Sequence, residues 1–160
     1  MENKFVNSNK LVVFFQSAKR NNLKVIKNKK NWITFVGKLN KAKGYDVFAK
    51  VILKILKKFP DWKAKIIGDE KREKIELNHK NADILGFLNH NKVLKIFEKT
   101  SIAVACSRWE EPFGRTSLEA SANGCAVIIT NKGGLPETVT NAKIMKTLTV
   151  KSLEKNIVQL

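Results

Sequence analysis

Two lysines near a glycine form the first candidate for a ligand site. A short β-branched and aromatic run ends at Gly37, and Lys38 and Lys43 follow it before a helix-like segment. Free backbone N–H groups, the positive end of a helix and two ammonium groups could together hold a phosphate. The alternative is that Gly37 only makes a turn and both lysines are solvated, as is common in a lysine-rich chain. No G-x-G occurs, which argues against an ordinary NAD-binding Rossmann protein.

A second candidate follows the apolar run 101–107. Pro112 and Gly114 favour the start of a helix and leave nearby backbone N–H groups free to meet a phosphate. Glu119 lies in the first turns of that helix, where a carboxylate could accept two hydrogen bonds from a vicinal diol, as acidic residues do toward ribose. A lone glutamate on a helix is more commonly a solvated residue, so Glu119 alone does not establish a site.

Paired glycines follow the next apolar run, 125–130. Gly133 and Gly134 allow close backbone approach to a ligand, or they simply make a tight turn before Pro136. Each of the three segments alone is a weak signal. In a parallel sheet, however, ligands bind beyond the carboxyl ends of the strands, so the three segments together predict one site.

Alternating short strands and helices would place these segments at one sheet edge. Five apolar runs predict strands, over 33–37, 63–69, 82–88, 101–107 and 125–130. Helical spacing predicts a helix that Pro60 ends, and further helices over 91–100, 115–124 and 152–160. Upstream, residues 11–15 fit a strand or a helix and residues 23–26 a strand. We therefore expect an α/β domain whose mostly parallel sheet has helices on both faces.

The composition is that of one globular domain with an unusual charge. The 160 residues include 31 Lys and Arg against 14 Asp and Glu, for a net charge of +17. Such a charge calls for an anionic partner: nucleic acid, a phosphorylated ligand or a membrane surface. Base-reading surfaces favour Arg, whereas the basic residues here are mostly scattered Lys. With abundant Asn and Ile, that pattern also fits a coding bias toward A and T.

Two cysteines and two histidines predict neither a disulfide framework nor a metal site. Cys106 ends one predicted strand and Cys125 begins the next parallel one, so we expect them at opposite edges of the sheet and unpaired. Free thiols fit a reducing cytoplasm. His79 and His90 have no carboxylate or cysteine neighbours at metal-ligand spacing, so we expect both to be surface-loop residues.

The motifs in this order resemble the C-terminal, nucleotide-sugar-binding domain of GT-B glycosyltransferases of the retaining group 1, or GT4, type. The resemblance extends from about Trp32 to about Thr140 and rests on FVGKLNKAKG, KIIGDE, LGFL and EEPFGRTSLEASANGCAVIITNKGGLPE. The last stretch contains the family's E-x7-E motif, Glu111 and Glu119, followed by G-G-L-P-E. This specific combination implies a Rossmann-like domain that is one half of a GT-B fold.

The resemblance also implies roles for individual residues. Glu111 would be the catalytic residue and face the transferred sugar, while Glu119 would bind the ribose hydroxyls. The residues expected to bind the donor's diphosphate and sugar are Gly37, Lys38 (usually Arg in the family), Lys43, Phe113 and Gly114, and those expected at the base pocket are Phe87 and Leu88. No metal and no cofactor is implied, because lysines and helix N-termini would neutralise the leaving diphosphate.

The implied reaction transfers a hexose from a nucleotide diphosphate sugar to an acceptor hydroxyl with retention. Family members often act on glycolipid, lipopolysaccharide or surface polysaccharide acceptors. A basic surface would suit a cytoplasmic protein that contacts the inner face of the membrane peripherally.

The chain is about half as long as a complete two-domain enzyme would be. We therefore expect residues 1–31 to be a remnant of an N-terminal acceptor domain or hinge, and residues 32–160 to be the donor-binding domain with incomplete C-terminal helices. Such a donor-binding half, whether a fragment, a truncated gene or one subunit of a split enzyme, would be inactive or weakly active alone. The alternatives are a non-catalytic nucleotide-sugar-binding relic and a basic nucleic-acid-binding module. The latter lacks clustered Arg and a recognised fold, so we expect no specific nucleic-acid partner.

Overall fold

Six parallel strands form one sheet in the computed structural model, which describes residues 12, 14, 16–18 and 29–160. The strands are β1 (Lys30–Val36), β2 (Lys63–Ile67), β3 (Ala82–Ile84), β4 (Thr100–Ala105), β5 (Ala126–Thr130) and β6 (Lys143–Met145). Their spatial order is β3-β2-β1-β4-β5-β6, and every pairing is parallel. This is the order of doubly wound Rossmann folds, so the predicted α/β class is confirmed.

Helices cover both faces of the sheet. They are α1 (Tyr45–Lys58), α2 (His90–Lys99), α3 (Arg115–Ala122) and α4 (Val150–Val158), with a 3-10 turn at Leu135–Glu137. Because side chains alternate along a strand, Ile102 and Val104 pack in the core formed with α1 and α4, whereas Ala103 packs in the core formed with α2 and α3.

Side-chain caps explain where two of the helices begin. The side chain of Asn89 accepts a hydrogen bond from the N–H of Lys92 and starts α2, and the side chain of Thr149 accepts from Ser152 and starts α4. Such caps satisfy backbone donors that the helix itself leaves free. The cap at Asn89 sets the first residue of α2, which matters for the site.

An aromatic cluster fixes the connection between β1 and α1. The ring of Phe35, near the end of β1, lies 5.3 Å from the ring of Tyr45 and 5.0 Å from that of Phe48, centroid to centroid. All three side chains are buried. Tilted aromatic pairs at such distances stabilise the core beyond their buried area, and here they hold the loop that carries Lys38 and Lys43.

The sequence prediction missed β6 and overextended β3. The segment that forms β6 begins with a lysine and has only three paired residues, too few for a visible period. The predicted strand 82–88 ends at Ile84, because Gly86 has φ +64 and leaves the extended conformation. The structure also starts β1 at Lys30, two residues before the predicted domain boundary. The predicted elements at 23–26 and, except for Val12 and Phe14, at 11–15 lie outside the described residues.

Candidate functional site

A cleft lies beyond the carboxyl ends of β1 and β4, where the strand order reverses direction. Ligands bind at such switch points in open α/β sheets. The cleft encloses about 510 Å³ including its solvent-open mouth, and its lining comes from the end of β1, the end of β4 and the segment that starts α3. Four residues predicted from the sequence line it, namely Gly37, Lys43, Glu111 and Gly114.

The ammonium of Lys43 and the carboxylate of Glu111 meet in this cleft. Lys43 Nζ lies 2.5 Å from Glu111 Oε1, and the glutamate side chain is only 15% exposed. The two residues are 68 positions apart in the chain, so only the sheet brings them together. An incoming diphosphate would meet a cation that is already paired, and it would have to share or displace that partner.

Asn40, which the sequence analysis did not single out, orients the loop that carries Lys43. It is buried, and its side-chain oxygen accepts a hydrogen bond from the N–H of Lys43 at 3.0 Å, while its own carbonyl accepts from the N–H of Tyr45. The amide nitrogen of Asn40 donates to Glu70 at 3.0 Å. A buried amide with all these partners fixes the backbone locally. The only sequence signal was an asparagine three residues before Lys43, a spacing typical of side-chain-capped turns.

Free backbone donors lie at the start of α3, and Gly114, which carries one of them, lines the cleft. Within residues 29–160, no group accepts a hydrogen bond from the N–H of Phe113 or of Gly114. Gly114 immediately precedes the first residue of α3, so the positive end of the helix dipole lies there as well. Free donors at a helix start are suited to an anion.

The paired glycines after β5 approach the chain itself rather than a ligand. The N–H of Gly134 donates to the carbonyl of Glu111 at 2.7 Å, and the N–H of Gly133 donates to a carboxylate oxygen of Glu110 at 2.6 Å. A Cβ at Gly133, which has φ +52, would lie 2.2 Å from the Glu111 carbonyl oxygen. The sequence left open a ligand contact or a tight turn, and the structure shows a turn that supports the Glu110–Glu111 backbone.

Glu119 lies one turn after the start of α3, and its carboxylate has two side-chain partners. Its Oε1 accepts from Arg115 at 3.1 Å and lies 3.0 Å from Nε2 of His90, and its side chain is 13% exposed. The prediction that His90 is a loop residue is wrong, because Asn89 caps α2 and makes His90 its first residue. The alternative that Glu119 is a solvated residue does not fit its 13% exposed side chain.

The other predicted site residues do not line the cleft; they are Lys38, Phe87, Leu88, Phe113 and Glu119. Lys38 is exposed and lines a neighbouring open cleft with residues 69–72. There the N–H and side chain of Arg72, together with Asn40, lower the pKa of Glu70 to about 2, so this neighbour carries a negative charge. Phe87 is 79% exposed. Leu88 is half-buried against the core formed with α2 and α3.

Neither cysteine has the properties of a nucleophile. Cys106 lines the cleft, but burial raises the pKa of its thiol to about 12, and burial raises that of Cys125 to about 11. The reactive form of a cysteine is the thiolate, so both thiols are inert near neutral pH. Both are free, as predicted.

The described part of the chain offers neither a metal-binding cluster nor a membrane-spanning helix. Among residues 12, 14, 16–18 and 29–160, no group of three or more His, Cys, Asp or Glu side chains is placed to hold a metal ion. In the same residues, no helix has the length and apolar character needed to span a bilayer.

Comparison with known proteins finds one family. The family model described as glycosyl transferases group 1 matches residues 16–160. The lipopolysaccharide core biosynthesis mannosyltransferase LpsB of Rhizobium meliloti is 30% identical over an alignment of 121 positions, and the match covers 69% of this chain and 34% of that protein. The chain spans about a third of the length of the curated relatives that it matches.

Solved structures agree with this assignment. The C-terminal domain of the glycosyl transferase group 1 family protein LpcC from Francisella tularensis superposes with a TM-score of 0.71 at 25% identity, covering 92% of this chain and 85% of that domain. Anabaena HepE, in complex with UDP and glucose, superposes with a TM-score of 0.70 at 17% identity, covering 87% of this chain and 43% of HepE. The latter likeness shows a shared fold.

Proposed function

Since this chain belongs to the group 1 glycosyltransferases, we propose that it is the donor-binding domain of a retaining enzyme that transfers a hexose from a nucleotide diphosphate sugar to an acceptor hydroxyl. The observation that carries the proposal is the meeting of Lys43 and Glu111 in the switch-point cleft, which is also lined by Gly114, a residue with a free N–H group at the start of α3. A cation and backbone donors suit a diphosphate, and a carboxylate beside them suits a sugar.

The proposed chemistry follows from where charge develops. As the bond between the anomeric carbon and the diphosphate breaks, negative charge accumulates on the leaving phosphate oxygens. Lys43 and the N-terminal end of α3 stabilise that charge without a divalent metal. Glu111 lies against the transferred sugar, where a carboxylate stabilises positive charge at the anomeric carbon. Lys38, from its neighbouring cleft, adds long-range positive potential to the donor's approach.

Glu119 and the segment after β3 complete the proposed donor site. The carboxylate of Glu119 binds the ribose hydroxyls, and Phe87 and Leu88 provide apolar surface for the base. The carbonyl of Gly86 accepts a hydrogen bond from the N–H of Gly68 at 2.9 Å, which ties this segment to the edge of the sheet. HepE, which has the same fold, was solved with UDP and glucose, which supports a nucleotide-sugar donor here.

The acceptor in this proposal is a glycan or glycolipid, held by a second domain or subunit. The mannosyltransferase LpsB acts in lipopolysaccharide core synthesis, as its name states. A net charge of +17 favours contact with an anionic membrane surface, which fits a cytoplasmic enzyme that meets a lipid-linked acceptor at the inner face of the membrane.

The substitution Lys43→Ala is expected to weaken binding of a nucleoside diphosphate by roughly 10- to 100-fold, as for the loss of a hydrogen bond to a charged group. Binding of the bare nucleoside is expected to change little, because the ammonium acts on the phosphates. Calorimetric titration with UDP, GDP and ADP, and with the matching nucleosides, measures both effects. Equal losses for nucleotide and nucleoside would show that Lys43 does not hold the diphosphate.

Glu111→Gln is the matched control for Lys43→Ala. It breaks the same ion pair from the other side while leaving the ammonium in place, so nucleoside diphosphate affinity is expected to stay the same or to rise. A loss of affinity in both variants would mean that the ion pair only supports the local structure.

The substitution Glu119→Ala is expected to weaken nucleotide binding by about 1.5–3 kcal/mol, because a charged acceptor of the ribose hydroxyls is lost. Glu154→Ala is the control, since it removes a carboxylate of α4 that pairs with Lys54 away from the cleft. The same titrations check the result, with chemical denaturation to confirm folding. Unchanged affinity in Glu119→Ala would remove the ribose contact from the proposal.

A further inference from the structure

The two oxygens of the Glu119 carboxylate have different surroundings. Oε1 accepts a hydrogen bond from the guanidinium of Arg115 at 3.1 Å and lies 3.0 Å from Nε2 of His90. Within the described residues, Oε2 has no hydrogen-bond or ion-pair partner. One oxygen is therefore held by the protein, and the other is available to a ligand.

Arg115 and His90 differ in how strongly they can restrict the orientation of the Glu119 carboxylate. Arg115 lies on the same helix as Glu119, four residues earlier, and the side chains of Arg115 and His90 are 66% and 54% exposed. The pair of Arg115 and Glu119 moves with α3 and contributes little to order. His90 is the first residue of α2, so its contact joins two helices. The imidazole also has fewer rotatable bonds than the arginine side chain, and less entropy is lost in holding it.

His90 also follows the predicted base-binding segment directly. It is two residues from Leu88 in the chain, and the capping Asn89 fixes the step between them. The contact between His90 and Glu119 therefore links the segment proposed to hold the base with the carboxylate proposed to hold the ribose. This link spans α2 and α3, which are neighbours on one face of the sheet.

We propose that His90 is a positioning residue that holds Glu119 through Oε1, so that Oε2 accepts from the ribose hydroxyls and the site selects a nucleotide with an intact ribose diol. This inference rests on the proposed function. When the carboxylate is ionised it only accepts hydrogen bonds, so the Nε2–H of His90 is the donor. A carboxylate oriented before the ligand arrives has less conformational freedom to lose on binding.

The test compares the affinity of a ribonucleotide with that of its 2′,3′-dideoxy analogue. The chain is titrated with UDP, GDP and ADP, and the tightest is paired with its dideoxy form. We expect the wild type to prefer the ribonucleotide, and Glu119→Ala to lose that preference. His90→Ala should reduce the preference by about three- to tenfold, less than the loss of the charged acceptor itself, because His90 acts on the ribose only through Glu119. His90→Gln should restore most of it, because its side-chain amide can donate in place of Nε2–H.

Asn91→Ala is the matched control, since Asn91 is exposed in the first turn of the same helix and forms no hydrogen bond with the Glu119 carboxylate. It should leave the preference unchanged, and denaturant unfolding should show that all variants fold. If His90→Ala keeps the full preference while Glu119→Ala loses it, the positioning role is overturned and the proposed donor site stands. If the wild type binds no nucleotide, or binds both forms equally, the ribose role of Glu119 fails and this inference fails with it.

Discussion

Replacing Gly68 with alanine is expected to destabilise the protein by roughly 3–5 kcal/mol, which is a large part of the stability of a typical domain. Gly68 has φ +136, a conformation that residues with a Cβ rarely adopt, and a Cβ built there would lie 1.8 Å from the carbonyl oxygen of Gly37. Both groups belong to the backbone, so no side-chain rotation relieves the overlap. The ends of β1 and β2 would have to separate.

The same substitution is expected to affect the site. Gly37 lines the cleft, and its N–H donates to the carbonyl of Ile67 at 3.0 Å. Moving Gly37 away from Gly68 stretches this hydrogen bond and shifts the loop that carries Lys43. We therefore expect Gly68→Ala to lose nucleoside diphosphate affinity even where the protein remains folded.

Gly86→Ala separates steric overlap from backbone conformation. Gly86 also has a positive φ, +64, but nothing lies within 4 Å of a Cβ at that position. Its alanine variant should therefore cost only the conformational penalty, about 1–2 kcal/mol. Urea unfolding of the wild type, Gly68→Ala and Gly86→Ala compares their free energies of unfolding. Equal m-values check that all three unfold in a two-state manner. Similar losses in both variants would contradict the steric explanation.

The second large effect concerns catalysis. Residues 1–160 on their own are expected to bind a donor sugar nucleotide but to transfer its sugar at a negligible rate. Holding two reactants in near-attack geometry supplies roughly 7–11 kcal/mol of a barrier, and the proposed site of this domain holds only the donor. The cleft is also open to water, which weakens the stabilisation that Lys43 gives to a leaving diphosphate.

Incubating the chain with a radiolabelled donor sugar nucleotide and an acceptor measures the rate of sugar transfer directly. Donor binding and hydrolysis are followed in the same preparation. The Lys43→Ala variant is the control, because its reduced binding shows that the signal comes from the proposed site. Slow hydrolysis of the donor agrees with the expectation. Rapid transfer to an acceptor by residues 1–160 with no second protein present would refute it.

Local sequence was sufficient for the class of fold. Short apolar runs can be buried in a strand only if both faces of the sheet are covered, so their alternation with amphipathic helices predicts a parallel α/β sheet. Order along the chain also predicted that three ligand-binding segments share one edge, because parallel strands end on the same side. For Lys43 and Glu111, which line one cleft, this reasoning was sufficient.

Other features depended on contacts that no local pattern reports. The strand β6 is defined by pairing with β5, since three residues are too few to show a period that would predict a strand alone. The role of Gly133 and Gly134 depended on which backbone lies opposite them, and that backbone proved to be Glu110–Glu111 rather than a ligand.

The sequence by itself determined the α/β class, the family motif and the charged residues that are candidates for the cleft, because these depend on residue type and spacing. Only the tertiary structure decided which of those residues meet. It paired Lys43 with Glu111, placed Lys38 in a neighbouring cleft and brought His90 to Glu119. The physical reason is that such contacts depend on how two helices and two loops pack on a twisted sheet, and that packing is set by the whole core rather than by neighbouring residues.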